Sequence, residues 1–380
     1  MTLLNLSYAE FENEPRFWRL NLLDFGPSNL VVGKNATGKS RLISVITGLM
    51  GIISGARPNA LDSGTYSAEF LIEEKRYVYE ISFKQKIVQH ERLSVDGTDR
   101  LTRNETGQGS IYYSKEDRYL EFAVPTGTIA LQAKKDQLQH PFIVDISNWA
   151  SSSATYIFGS DFGRSRLHVA AQQTSVIEEL QASSNKEDPD DAVGTYIAGY
   201  KHFGDAFDRA IIEDMGKLGY ALREVAVEPL DPGIAMAPHG APLLSLVVVE
   251  RDLSPRIPQI FLSQGMFRAL ALTIKLNWST FSGRKGLILI DDLGEGLDYE
   301  RACAAVEIAM QKAASGACQI IMTSNDRFVM NSVSLDHWIV LQRNGPEVKG
   351  YTSRNSPNEF ESFRFTGLSN FDFFTSGGFH

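Results

Sequence analysis

The chain has 380 residues, 43% of them hydrophobic and 22% charged, which excludes a mainly disordered chain and allows one large domain or two modest ones. Its 37 basic and 46 acidic side chains leave a net charge of −9, which argues against coating by nucleic acid through bulk electrostatics. Only Cys303 and Cys318 are present, too few for a disulfide framework or a cysteine zinc site.

No window approaches about 18 consecutive apolar residues, so no membrane span is expected. The N-terminus lacks a basic stretch followed by an apolar run, so no signal peptide is read and the expected location is cytoplasmic.

Leu3, Leu4, Leu6 and Tyr8 open a strand-like alternation that resumes at Trp18, Leu20, Leu22 and Leu23 after a Glu-Asn-Glu-Pro turn. Asn29–Val32 forms a short buried strand that runs into Gly33. Beyond Ser40 the period changes, and Leu42, Ile43, Ile46, Leu49 and Met50 share one helical face, closed by Gly51 and Gly55.

Residues 65–125 predict a β-meander of short apolar runs (70–72, 77–83, 111–113, 119–122) separated by charged or glycine turns. Residues 128–155 are expected to be helical. The polar, acidic stretch 181–194 predicts a loop, followed by one helix from Thr195 to about Leu222. Strand-like pieces follow at 224–227 and 243–249. From Leu262 the pattern alternates helix, strand, helix, strand: 265–276, 287–290, 299–314 and 319–322. Such alternation means parallel pairing in an α/β sheet.

Residues 33–40 read Gly-Lys-Asn-Ala-Thr-Gly-Lys-Ser, a complete G-x-x-x-x-G-K-[ST], with a strand before it and an amphipathic helix after it. Glycines let such a loop curl so that successive N–H groups face inward, forming an anion nest at a helix N-terminus. Lys39 then serves the β- and γ-phosphates of ATP, and the Ser40 hydroxyl is a ligand for Mg²⁺. Lys34, Asn35, Ala36, Thr37, Gly38 and Arg41 complete the expected nucleotide contacts.

Residues 287–298 read Leu-Ile-Leu-Ile-Asp-Asp-Leu-Gly-Glu-Gly-Leu-Asp. Four aliphatics ending in acid put Asp291 at the carboxyl end of a buried strand, where it can serve the metal shell. Asp292 follows, placed to orient or deprotonate an attacking water. Being one methylene shorter than the commoner glutamate, it predicts turnover that is slow or needs a partner. Upstream, Leu262-Ser263-Gln264-Gly265 offers a helix N-cap at Ser263 and a close backbone approach at Gly265, so a γ-phosphate could dock there.

Phosphate loop, long insert, Leu-Ser-x-Gly, then Asp-Asp and Gly-Leu-Asp is a layout that resembles the heads of ABC-type ATPases. It is similar to the RecF and structural-maintenance-of-chromosomes (SMC) branch, including small stand-alone AAA-type, OLD-related ATPases of bacterial antiviral and toxin-like systems. The resemblance covers most of residues 1–345. It implies an α/β head with an antiparallel β subdomain, a parallel-sheet core and a helical insert. Three blocks are expected, 1–125, 126–260 and 261–345, followed by an aromatic-rich segment, 346–380.

By that resemblance Leu262–Gly265 is the signature motif, Asp291 the Walker B aspartate and Gly296-Leu297-Asp298 the D-loop. Asn325 takes the switch position where such heads often carry histidine; it can hydrogen-bond a phosphate but cannot carry a proton as imidazole does. The metal-shell glutamine is taken as Gln132, with Gln137 and Gln139 as alternatives. The insert has no long coiled coil and no Cys-x-x-Cys hook, and no toprim nuclease motif is visible.

The seven histidines are scattered, with no i, i+4 pair to hold a metal. Arg164, Arg166 and His168 form a small basic cluster, read as solvated surface. Six phenylalanines, Phe363, Phe365, Phe371, Phe373, Phe374 and Phe379, lie between Phe360 and His380, and burial against something is expected of them. The functional expectation is an ATPase working as a homodimer or higher even oligomer. Each ATP and its Mg²⁺ would lie between Gly33–Ser40, Asp291 and Asp292 of one copy and Ser263–Gly265 of another. A separately encoded effector, a nuclease or toxin, is the expected partner; the alternative is a RecF-like repair ATPase that binds duplex DNA directly.

Overall fold

A computed structural model describes residues 1–158, 164–169, 191–235, 241–283, 285–364, 366 and 368–376. Its strands, in chain order, are β1 (Thr2–Glu10), β2 (Trp18–Asp24), β3 (Ser28–Val32), β4 (Ser63–Ile72), β5 (Lys75–Lys84), β6 (Ile87–Val95), β7 (Thr98–Asn104), β8 (Gln108–Tyr113), β9 (Arg118–Ala123) and β10 (Ala154–Ile157). There follow β11 (His168–Val169), β12 (Leu222–Pro229), β13 (Leu243–Glu250), β14 (Ile257–Pro258), β15 (Leu287–Asp291), β16 (Gln319–Thr323), β17 (Trp338–Asn344) and β18 (Glu347–Tyr351).

The chain divides into two compact units. One comprises Met1–Thr155, Lys285–Leu289 and Cys318–His380; the other comprises Tyr156–Arg284 and Ile290–Ala317. This is not the consecutive division the sequence suggests, because sheet pairing gathers distant stretches. Residue 346 is no boundary either: β18 pairs in parallel with β2 through Glu347↔Arg19 and Val348↔Leu20.

A mixed sheet runs in the order β10-β15-β16-β3-β17-β18-β2-β1-β4-β5-β6-β7-β8-β9. Its middle is parallel, β16 beside β3 and β3 beside β17. The five residues of β3 are all buried, as expected of a strand covered on both faces. From β1 outward through β9 the sheet is an antiparallel meander.

In the first unit, helices Lys39–Ser54 and Pro141–Ser151 pack together over a core that includes Trp18, Phe70, Trp149, Leu42, Ile46 and Leu49, each at most 1% exposed. Phe70 and Trp149 meet edge to face at 4.6 Å between ring centroids, a favoured aromatic geometry.

The stretch 128–155 is less helical than expected: it holds a four-residue helix, Ala130–Ala133, then Pro141–Ser151, and ends in β10. The meander also has more strand than expected. Its charged stretch 87–104 is β6 and β7, with Glu91 0% and Arg103 2% exposed. Glu91 accepts the amides of Ala130 and Leu131 at 2.7 and 2.8 Å. Arg103 donates to the carbonyls of Val88, Pro125 and Thr126. With most of their polar atoms paired in this way, and only Arg103 Nε left without a partner, both side chains can point inward.

In the second unit, β11, β13 and β12 form an antiparallel sheet with β14 against β13. Helices Ala192–Phe203 and Asp205–Lys217 pack on the long helix Gln264–Ser282. The single helix expected from Thr195 is broken at Gly204, whose φ of 57° and ψ of −144° suit glycine alone. The expected loop 181–194 lies outside the described residues up to 190, as do His239, Phe365, Phe379 and His380. Among the described residues no helix is long and apolar enough to cross a membrane.

Candidate nucleotide-binding site

The phosphate loop leaves the carboxyl end of β3 between two parallel neighbours. Gly33 sits tightly: a Cβ there would meet Thr37 Oγ1 at 2.5 Å and the Leu341 carbonyl oxygen at 3.1 Å. Ala36 has φ 65° and Gly38 φ 107°, left-handed geometry that turns the chain into helix Lys39–Ser54. Lys39 is 7% exposed, and its Nζ donates to the Gly33 carbonyl at 2.8 Å. Thr37 closes the turn, its amide and hydroxyl donating to the Lys34 carbonyl at 3.2 and 2.8 Å.

No side chain caps the N-terminus of helix Lys39–Ser54, and its first turn holds no acidic residue. Lys34, Asn35, Ala36 and Ser40 are exposed. An uncapped helix start with outward-facing loop residues and a lysine folded across the loop fits a phosphate chain, which would supply the missing cap. The Arg41 guanidinium lies 4.4 Å over the Trp18 ring and pairs with Glu10.

Asn325 belongs to the same unit. The register β16–β3 pairs Thr323 with Val31, so the chain that carries Asn325 leaves the same end of the sheet as the phosphate loop. It is exposed, and Asp326 then caps helix Arg327–Ser332 by accepting the Phe328 and Val329 amides.

Gln132 does not join the site. Its Nε2 donates to the carbonyls of Ile52 and Arg57 at 2.7 and 2.9 Å, beside the far end of helix Lys39–Ser54. Twelve residues of helix, about 18 Å at 1.5 Å each, separate Ser40 from Ile52. The expectation that Gln132 joins the metal shell is corrected accordingly: its amide fixes the loop after the helix. Gln137 and Gln139 are exposed.

The remaining site residues lie in the second unit, described by itself. Ser263 caps helix Gln264–Ser282, its Oγ accepting the Met266 amide at 3.2 Å, and both Ser263 and Gln264 are exposed. Asp291 is 8% exposed, and its carbonyl accepts the Phe158 amide at 2.9 Å. Asp292 has φ 56°, followed by Gly294 at 96° and Gly296 at 79°. Aspartate is among the few side chains that tolerate that region.

The loop 292–298 is seated on helix Gln264–Ser282. A Cβ on Gly265 would lie 2.9 Å from the Gly296 carbonyl oxygen. Arg268, 4% exposed, donates to the Glu295 carbonyl at 2.7 Å and lies 5.9 Å from the Phe158 ring. Asp298 ends the loop as the cap of helix Tyr299–Ala314. Sequence reading missed Arg268; the available signal was a lone charge inside the apolar run Met266–Leu272. Arg164, in the basic cluster, donates to the Leu262 carbonyl at 3.1 Å.

No protein-family model matches the chain, and no curated protein matches its sequence. Solved structures match over nearly its whole length. One is an SMC head bound to the C-terminal winged-helix domain of ScpA: 12% identity, TM-score 0.56, covering 93% of this chain and 97% of that one. Another is an SMC head with an extended coiled coil bound to the C-terminal domain of ScpA, derived from Pyrococcus furiosus: 12% identity, TM-score 0.50, covering 95% and 99%. The fold is that of an SMC head, an ABC-type ATPase fold.

Proposed function

We propose that the chain is an ATPase that binds MgATP on Gly33–Ser40 and pairs with a second copy through the nucleotide. The observation that carries the reading is the uncapped start of helix Lys39–Ser54, preceded by left-handed turns at Ala36 and Gly38. Inward amides there hold the phosphates, and Lys39 neutralises the β- and γ-oxygens. Ser40 and Asp291 are the residues that would hold Mg²⁺, which when bound would offset charge on the phosphate oxygens. Asp292 takes the proton of the attacking water, or orients that water, and Asn325 donates a hydrogen bond to the γ-phosphate.

Ser263, Gln264 and Gly265 complete the site of another copy. The support is exposure of Ser263 and Gln264 at a helix start, which suits a γ-phosphate presented from outside. ATP closes the pair and hydrolysis releases it, a switch rather than a motor.

A partner protein reads the switch. The SMC heads of the comparison bind domains of ScpA, and the motif layout resembles that of antiviral ATPases, so a separately encoded effector is proposed.

The test is sizing by light scattering with and without MgATP. A twofold mass increase with ATP, absent in Lys39→Ala, supports the reading; a monomer at saturating ATP refutes it.

A further inference from the structure

The geometry points to Arg343 as a positioning residue for the phosphate loop. The inference rests on the nucleotide reading of that loop and adds a residue outside every motif. Arg343 lies near the end of β17, three strand positions beyond Val340, which pairs with Val32. Its guanidinium bridges two backbone segments: Nε donates to the Gly345 carbonyl at 2.8 Å and Nη1 to the Ala36 carbonyl at 3.3 Å. Gly345, with φ 58°, turns the β17–β18 connection so that its carbonyl meets Nε.

Ala36 is the one loop residue between Gly33 and Gly38 that holds a left-handed φ without being glycine, a conformation that costs an L-residue free energy. A cation on its carbonyl offsets that cost. It also fixes the plane of the peptide joining Ala36 to Thr37, and a fixed peptide sets which way the loop amides point. The planar fork of arginine can hold two carbonyls at once; a lysine ammonium on a flexible stem cannot reproduce this.

The C-terminal segment backs the arrangement. Phe374 lines a cavity of about 210 Å³ with Lys34, Thr37 and Arg343. Its helix, Asn370–Ser376, is tied down by Asn370 Nδ2 to the Val333 carbonyl at 2.8 Å and by the Phe371 amide to Asn331 Oδ1 at 2.9 Å. Phe373 is packed against Phe360 and Phe363 at 4.8 and 4.7 Å. Phe374 thus walls one side of the cavity that adjoins the loop.

A residue that shapes the loop equally for substrate and transition state changes KM and leaves kcat at saturation unaltered. The experiment uses the full chain with Mg²⁺ and ATP, measuring binding by calorimetry and turnover by phosphate release. Arg343→Ala should weaken ATP binding and raise KM by about threefold to tenfold, the range for one lost hydrogen bond of ordinary strength, with kcat unchanged.

Arg343→Lys should behave like Arg343→Ala. If the lysine variant binds as wild type, bulk charge explains the effect and the inference fails. It also fails if Arg343→Ala binds ATP normally, or if that variant has lost its fold without nucleotide by far-ultraviolet circular dichroism. Lys39→Ala is the control: if it binds ATP as tightly as wild type, the nucleotide reading itself falls, whatever Arg343 does.

Discussion

Gly265 and Gly296 meet backbone to backbone: a single methyl on the first would press to 2.9 Å of the carbonyl oxygen of the second. Helix Gln264–Ser282 and the loop after Asp291 are therefore one seated pair within their unit, held further by Arg268 on the Glu295 carbonyl. Gly265→Ala should push the loop off its seat. Overpacking of this kind costs about 1–3 kcal/mol. ATP binding by the phosphate loop should survive, while turnover falls at least about tenfold. Calorimetry beside phosphate release checks this; equal loss of both would contradict it.

Lys39 gives a cleaner separation. It is buried, with its Nζ on the Gly33 carbonyl, so Lys39→Ala removes the cation and the tie across the loop together. Binding of ATP should drop below detection at millimolar nucleotide, with the far-ultraviolet circular dichroism unchanged, since the core under helix Lys39–Ser54 is untouched.

How much of this was legible in sequence depends on how local each cause is. The phosphate loop, β15 and the Ser263 cap are set within a dozen residues each, and all three were read. β6 and β7 read as charged turns in the sequence, because Glu91 and Arg103 point inward to partners such as Ala130, 39 residues from Glu91, and Thr126, 23 residues from Arg103. β10 was read as helix because its strand character comes from its sheet neighbour β15, far along the chain. The metal-shell glutamine carries no clean mark in the sequence, and the contacts that put the Gln132 amide on Ile52 and Arg57 span 80 and 75 positions. Arg343 had no motif at all; the contact joining it to Ala36 spans 307 positions.

Asp292 holds a left-handed φ of 56°, so the choice of substitution matters. Asp292→Asn removes the proton acceptor and keeps a side chain at ease in that region. Loss of a general base lowers turnover by about 10²–10⁴-fold. The variant should therefore bind ATP and persist as a long-lived pair on size exclusion with MgATP. Were it monomeric under saturating ATP, the composite site would be wrong even with Lys39 behaving as expected.

Stability of the second unit should carry an acid limb traceable to Asp214. This carboxylate, 3% exposed, joins three helices: it accepts Lys217 Nζ at 2.9 Å and Asn277 Nδ2 at 2.8 Å, with Lys312 Nζ at 3.2 Å. Burial pushes its pKa up, but the hydrogen bonds from Lys217 and Asn277 and the charge of Lys312 outweigh burial and hold it below the ordinary 3.8. A depressed acid contributes stability that is present above the unfolded value and is lost as pH falls through the folded one. Wild type should thus lose this contribution below about pH 4. Asp214→Asn should be weaker by about 2–4 kcal/mol at pH 7, since it strands Lys312 beside Asn277 without a counter-charge. Its urea midpoint should also fall less steeply on acidification than that of wild type, so the two curves converge at low pH; parallel curves from pH 7 to pH 3 would assign the acid limb to other carboxylates.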